Sequence, residues 1–133
     1  MTALPVYASL TAATLLLLQL GLMLSVGLAR VRHNQGIGDG GHDDLALLIR
    51  RHGNLAENAA LFVAVLALLE ILGGAPSAVL ALGAGFVLVR ISHAVGLSLG
   101  EGANAPRFVG AMGTVALGIG TAGYLVYVAL SLL

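Results

Sequence analysis

Four stretches of the chain, 5–29, 45–72, 76–99 and 107–132, are apolar over lengths that match a membrane better than a globular core. A helix needs about 20 predominantly apolar residues to cross a hydrocarbon layer about 30 Å thick, and each stretch meets that requirement. A water-soluble domain of 133 residues would need a polar surface, yet only twelve residues carry charge, six arginines and six acids, with no lysine. Inside lipid every backbone polar group must be satisfied within the fold, which leaves helices or closed barrels. The sequence therefore predicts an all-α integral membrane protein, one four-transmembrane-helix bundle over residues 1–133. The opening run MTALPVYASLTAATLLLLQLG lacks a basic n-region and is too long for a signal-peptide core, so it is expected to be a retained first helix.

The breaks between the stretches carry turn chemistry. Residues 33–44 (HNQGIGDGGHDD) form a Gly-rich polar loop, 73–75 a tight uncharged turn, and 100–106 (GEGANAP) a second polar loop. Asp43 and Asp44 suit the first turn of helix two, and Pro76 and Pro106 suit helix starts. Arg30, Arg32, Arg50 and Arg51 flank the first loop and Arg107 the third, while the 73–75 turn has no charge. By the positive-inside rule loops one and three are cytoplasmic and both termini lie outside. Only Arg90 departs from this pattern, because it lies within helix three. Gly110, Gly113, Gly118, Gly120 and Gly123, with Gly83 and Gly85, either mark close helix or subunit packing or reflect the general frequency of glycine in membrane helices.

Other function classes fall away. Zero net charge and scattered arginines give no nucleic-acid footprint. With no cysteine, any thiol chemistry must use a thiol brought by a ligand. Gly36 to Gly41 spell G-x-G-x-x-G, but after a membrane helix and without a βαβ unit, so no dinucleotide site is expected. His33, His42, Asp39, Asp43 and Asp44 fit no metal-ligand spacing, and that stretch is read as a solvated loop without a metal. Glu70, near the outer turn, is read as an interfacial residue or a contact to a neighbouring subunit.

The polar residues that remain are concentrated. On helix two Arg50, Asn54 and Glu57 fall at i, i+4 and i+7, on one face about 60° wide, with Asn58 at its border. Leu55, Ala59, Phe62 and Leu66 point elsewhere. Helix three repeats the device with Arg90 and His93, and Leu97 continues the stripe. Counted from the outer turn, Glu57 and Arg90 lie 15 and 14 residues down, both about 21–23 Å deep. Asn54 is level with His93 in the same count, and Arg50 with Leu97. A charge at that depth is costly unless paired, so a buried Glu57–Arg90 pair is expected. Such a pair alone reads equally well as structural glue, but the added donors point to a site for a polar anionic ligand.

Arg50-x-x-x-Asn54-x-x-Glu57-Asn58, Arg90-x-x-His93 and Pro106-Arg107 together resemble the signature of the MAPEG family, the membrane-associated proteins in eicosanoid and glutathione metabolism. The stretch GDGGHDDLALLIRRHGNLAEN resembles its small bacterial branch, and the likeness covers nearly the whole chain. The resemblance implies a homotrimer in a bacterial inner membrane, with glutathione as co-substrate bound between subunits at the cytoplasmic side. It implies that Arg50, Asn54, Glu57, Asn58, Arg90, His93 and Arg32 hold or support glutathione, with Arg30 an alternative to Arg32. Arg107 would act on its thiol. Asn58, His93 and Leu97 stand where some eukaryotic members carry tyrosines, although His93 matches the microsomal glutathione transferases.

The implied activity is that of a glutathione transferase, with peroxidase activity a further option. An arginine beside the sulfur would favour thiolate, and apolar electrophiles would arrive from the surrounding lipid. Two alternatives stand beside it. One is a non-catalytic lipid-binding or scaffold protein of the same fold. The other is a small proton-coupled transporter using Glu57, against which helix one has no charged residue before Arg30.

Overall fold

A computed structural model describes residues 4–100 and 102–133. Its elements are α1 (Val6–His33), α2 (Asp43–Ile71), α3 (Pro76–Ser98) and α4 (Ala105–Leu130). All four are long and apolar enough to cross a membrane. The 28 residues of α1 span about 42 Å, so the helix extends past a hydrocarbon layer of about 30 Å.

The helix ends follow local chemistry. The first helix continues beyond residue 29 through Arg30, Arg32 and His33, because cations suit the negative dipole end of a helix. It stops at Asn34, whose left-handed backbone (φ 52°) folds its N–H back onto the last turn. Gly73 ends the α2 turn in the same conformation, at φ 95°. At the start of α4, Asn104 is the N-cap, and its side-chain oxygen accepts the Arg107 N–H at 3.0 Å.

The helices α2 and α3 form the centre, with α1 packed on both and α4 packed on both from elsewhere on the bundle. Among the described residues α1 and α4 make no close approach. The core joins Leu15 and Leu22 of α1, Leu55, Phe62, Leu66 and Leu69 of α2, Val79 and Phe86 of α3, and Val128 of α4. At its middle Phe62 stacks on Phe86, with ring centroids 3.6 Å apart. Around this narrow seam large apolar side chains such as Leu17, Leu24, Leu61, Leu88 and Ile119 face outward. In water that surface would aggregate, whereas in a bilayer it is the lipid boundary.

The tightest contact is α3 against α4, and glycines permit it. Gly96 lies against the Arg107 backbone, Gly110 against the backbone of His93, and Gly113 against Val89. A side-chain carbon on Gly110 would stand 2.5 Å from the His93 nitrogen. Close approach at small residues is the main source of helix affinity in lipid, where apolar burial gives no drive. By contrast Gly118, Gly120 and Gly123 meet nothing within 4 Å in the single chain.

Glu70 stands in the last turn of α2, where its side chain has a specific role within the chain. It is buried, and its two carboxylate oxygens accept the N–H groups of Tyr7 (3.0 Å) and Ala8 (2.8 Å). These are among the first N–H groups of α1, which have no partner within their own helix, and the anion also faces the positive dipole end. A glutamate on α2 thereby fastens the entry of α1. Glu70→Leu should strand both donors and lower stability by about 2–3 kcal/mol, read as a lower melting temperature in detergent. An unchanged melting temperature would mean that the cap carries no weight.

Candidate functional site

The site is built around Arg90. It lies on the inward face of α3, only 3% exposed, level with the glycine-mediated contact to α4. That contact brings Thr114 of α4 within reach, and Arg90 Nη1 donates to Thr114 Oγ1 at 3.0 Å. From the other side Arg90 Nη2 donates to Asn54 Oδ1 of α2. Asn58 Nδ2 in turn donates to the Asn54 carbonyl at 2.8 Å. One guanidinium thus links three helices.

The expected Glu57–Arg90 ion pair does not form. Arg90 is held by two neutral acceptors, and Glu57, exposed in the single chain, acts on it electrostatically without reaching ion-pair distance. The reason is azimuth. Leu55 and Phe62, one beneath the other on α2, turn into the core. Glu57 lies two residues beyond Leu55, about 200° around the helix, and so stands at the open rim of the α2–α4 cleft, about 60° past Asn54. Counting residues from the turn gives height and leaves direction open.

Glu57 and Asn58 nevertheless belong to the same locality. With Thr114 they line one end of a cleft of about 270 Å³ between α2 and α4. The rest of its wall is Leu61, Phe62, Val65, Phe86, Gly118, Thr121 and Ala122. The Thr121 hydroxyl is already committed to the Leu117 carbonyl at 2.7 Å, so this part of the wall is apolar in effect. A group with a charged end and a hydrocarbon body would match such a cleft.

Other predicted residues fall at graded distances from this centre. His93 is buried one turn along α3, against Gly110, and its Nδ1 has no partner among the described residues. Arg50 is exposed one turn before Asn54. Arg107 sits in the first turn of α4, half-buried, with its backbone against Gly96. Arg32 is elsewhere in the single chain: its side chain is 70% exposed and lies 3.7 Å from Asp44. Arg30 turns into the first loop, donating to the carbonyls of Gly36 (3.2 Å) and Gly38 (2.9 Å). In that loop His33 bonds Asp44 at 2.9 Å and stacks on His42, so the polar loop is tied together while remaining largely exposed.

Thr114 is the member of this junction that the sequence did not single out. The available signal was its place beside Gly113, since glycines on α4 mark where that helix meets α3 at the level of Arg90.

A family model of the MAPEG family matches residues 8–127, which takes in all of α2 and α3 and most of α1 and α4. No curated protein and no solved structure matches the chain. The matched span contains the Arg90–Asn54–Thr114 junction and the cleft beside it. The chain belongs to the MAPEG family.

Proposed function

We propose that the protein binds glutathione at the polar end of the α2–α4 cleft and transfers its thiolate to an apolar electrophile arriving from the bilayer. One observation carries the reading: a buried arginine, pinned by Asn54 and Thr114, adjoins a cleft that has Glu57 and Asn58 at one end and hydrocarbon along the rest. Glutathione has two carboxylates, an ammonium and a thiol. Arg90 and Arg50 are the cations for the carboxylates, Glu57 the anion for the ammonium, and Asn54, Asn58 and His93 the neutral partners. Family membership supports a glutathione-related membrane function in general.

Glu57 and Arg50 also bear on assembly. Both are exposed on α2 of the single chain, and a bare carboxylate within a membrane helix is costly. A homotrimer that closes this face and completes the ligand site removes that cost, and Arg32 would reach the site only from a neighbouring subunit. We place the protein in a bacterial inner membrane, with the loops that carry arginines in the cytoplasm.

The apolar share of the cleft wall favours a second reading, a non-catalytic protein that holds a lipid there. Titrating the detergent-purified protein with glutathione while following thiolate absorbance separates the two. A transferase should show saturable uptake with a rise in thiolate. Arg50→Ala should weaken that uptake about 10- to 100-fold, since a charge-assisted bond is worth roughly 1.5–3 kcal/mol. Binding of a fatty ligand without any uptake of glutathione would establish the lipid-holding reading instead.

A further inference from the structure

We infer that Thr114 is a positioning residue for glutathione, acting through Arg90; the inference rests on the glutathione reading above. The Thr114 hydroxyl has both of its roles filled. It donates to the Gly110 carbonyl at 2.7 Å and accepts from Arg90 Nη1 at 3.0 Å. The first bond fixes the oxygen on α4, and the second pins the guanidinium to it. Gly110 is also the residue whose missing side chain lets α4 lie against His93. The place of the threonine oxygen is therefore set by the same contact that joins α3 to α4.

The chemistry of the anchors matters as much as their position. Arg90 is held by an amide oxygen and a hydroxyl, and among the described residues no carboxylate pairs with it. A carboxylate at either place would orient the guanidinium and also neutralise it. Neutral acceptors orient it by direct contact, with Glu57 acting on it only from beyond hydrogen-bond reach, so its donors keep their charge for an anionic ligand. With two anchors on two helices the planar fork has a fixed direction, so little freedom remains to be lost when a carboxylate docks. Thr114 also lines the cleft, so the group that orients the cation stands at the border between the polar and apolar parts of the site. Removing its oxygen leaves Arg90 its charge and takes away one of its two supports.

The test uses the full-length protein in detergent, with glutathione and glutathione esters in which one carboxylate is neutral as probes. Thr114→Val keeps the branched shape and lacks the oxygen, whereas Thr114→Ser keeps the oxygen. Wild type and Thr114→Ser should bind glutathione within about threefold of each other, and both should discriminate against the ester of the carboxylate that Arg90 receives. Thr114→Val should bind glutathione about tenfold more weakly and lose most of that discrimination, because the loss falls on one carboxylate. If the valine variant does not fold, Thr114→Ala supplies the same comparison. A purely structural role for Thr114 would weaken glutathione and both esters alike, and that result overturns the inference while the proposed function stands. If wild type takes up no glutathione, the proposed function falls and the role of Thr114 falls with it.

Discussion

Gly110→Val is expected to remove most of the folded protein from the membrane. A side-chain carbon at position 110 would stand 2.5 Å from both the nitrogen and the Cβ of His93. These atoms belong to the main chain of a facing helix or are bonded to it, so no rotamer change relieves the overlap. The helix α4 must instead shift by about 1 Å or more, and the shift reaches Gly96, Gly113 and the Thr114–Arg90 bond together. Forcing bulk into a packed seam costs about 1–3 kcal/mol, and here the seam is the tightest in the bundle. A drop in melting temperature of about 10 °C, or loss of protein recoverable in mild detergent, is the expected reading. Gly120→Ala is the control. Nothing lies within 4 Å of Gly120 in the single chain, and alanine is the better helix former by about 1 kcal/mol. Equal melting of the two variants would mean that α3 and α4 do not touch at Gly110.

The contrast between these glycines shows what kind of information the amino-acid sequence carries. Four membrane helices were legible because span length and scarcity of charge leave no other solution. The polar residues of helix two were legible as a group because their spacing places them on one face. The partner of Arg90 was not. Glu57 has the right charge and height, but the Leu55 and Phe62 stripe sets the rotation of α2 so that Asn54 reaches Arg90 while Glu57, about 60° further around, stops at the exposed rim of the cleft. Thr114 was passed over because a threonine among glycines reads as one more small residue, and its role depends on the register of α4 against α3. The capping role of Glu70 was hidden for a different reason. Its partners are backbone N–H groups at the start of α1, which every helix possesses and no side-chain pattern reveals.

Arg107→Ala is expected to leave glutathione binding near that of wild type and to raise the pKa of the bound thiol, with a large loss of turnover near neutral pH. A free thiol ionises near 8.5, so little of it is thiolate at neutrality, and only the thiolate is nucleophilic. Two features at the start of α4 would favour ionisation of a sulfur placed there. One is the guanidinium of Arg107, a fixed charge that never acts as a base. The other is the positive dipole end of a 26-residue helix whose first turn is fixed by the Asn104 cap. Because the helix end remains in the variant, part of the ionisation should remain as well. Each unit of pKa shift corresponds to about 1.4 kcal/mol, and loss of a guanidinium beside sulfur should raise the pKa by roughly one to two units. Activity should therefore fall about 10- to 100-fold near neutrality and partly recover in alkali, where the thiol ionises without help. Lysine at position 107 should restore part of the effect, because a point charge suffices for sulfur, while lysine at position 50 should do worse if a carboxylate is held there by a two-pronged guanidinium. Thiolate absorbance of the bound ligand against pH, for both alanine variants, decides the matter. If Arg107→Ala titrates as wild type does while Arg50→Ala shifts the thiol, the two arginines have exchanged the roles given to them here.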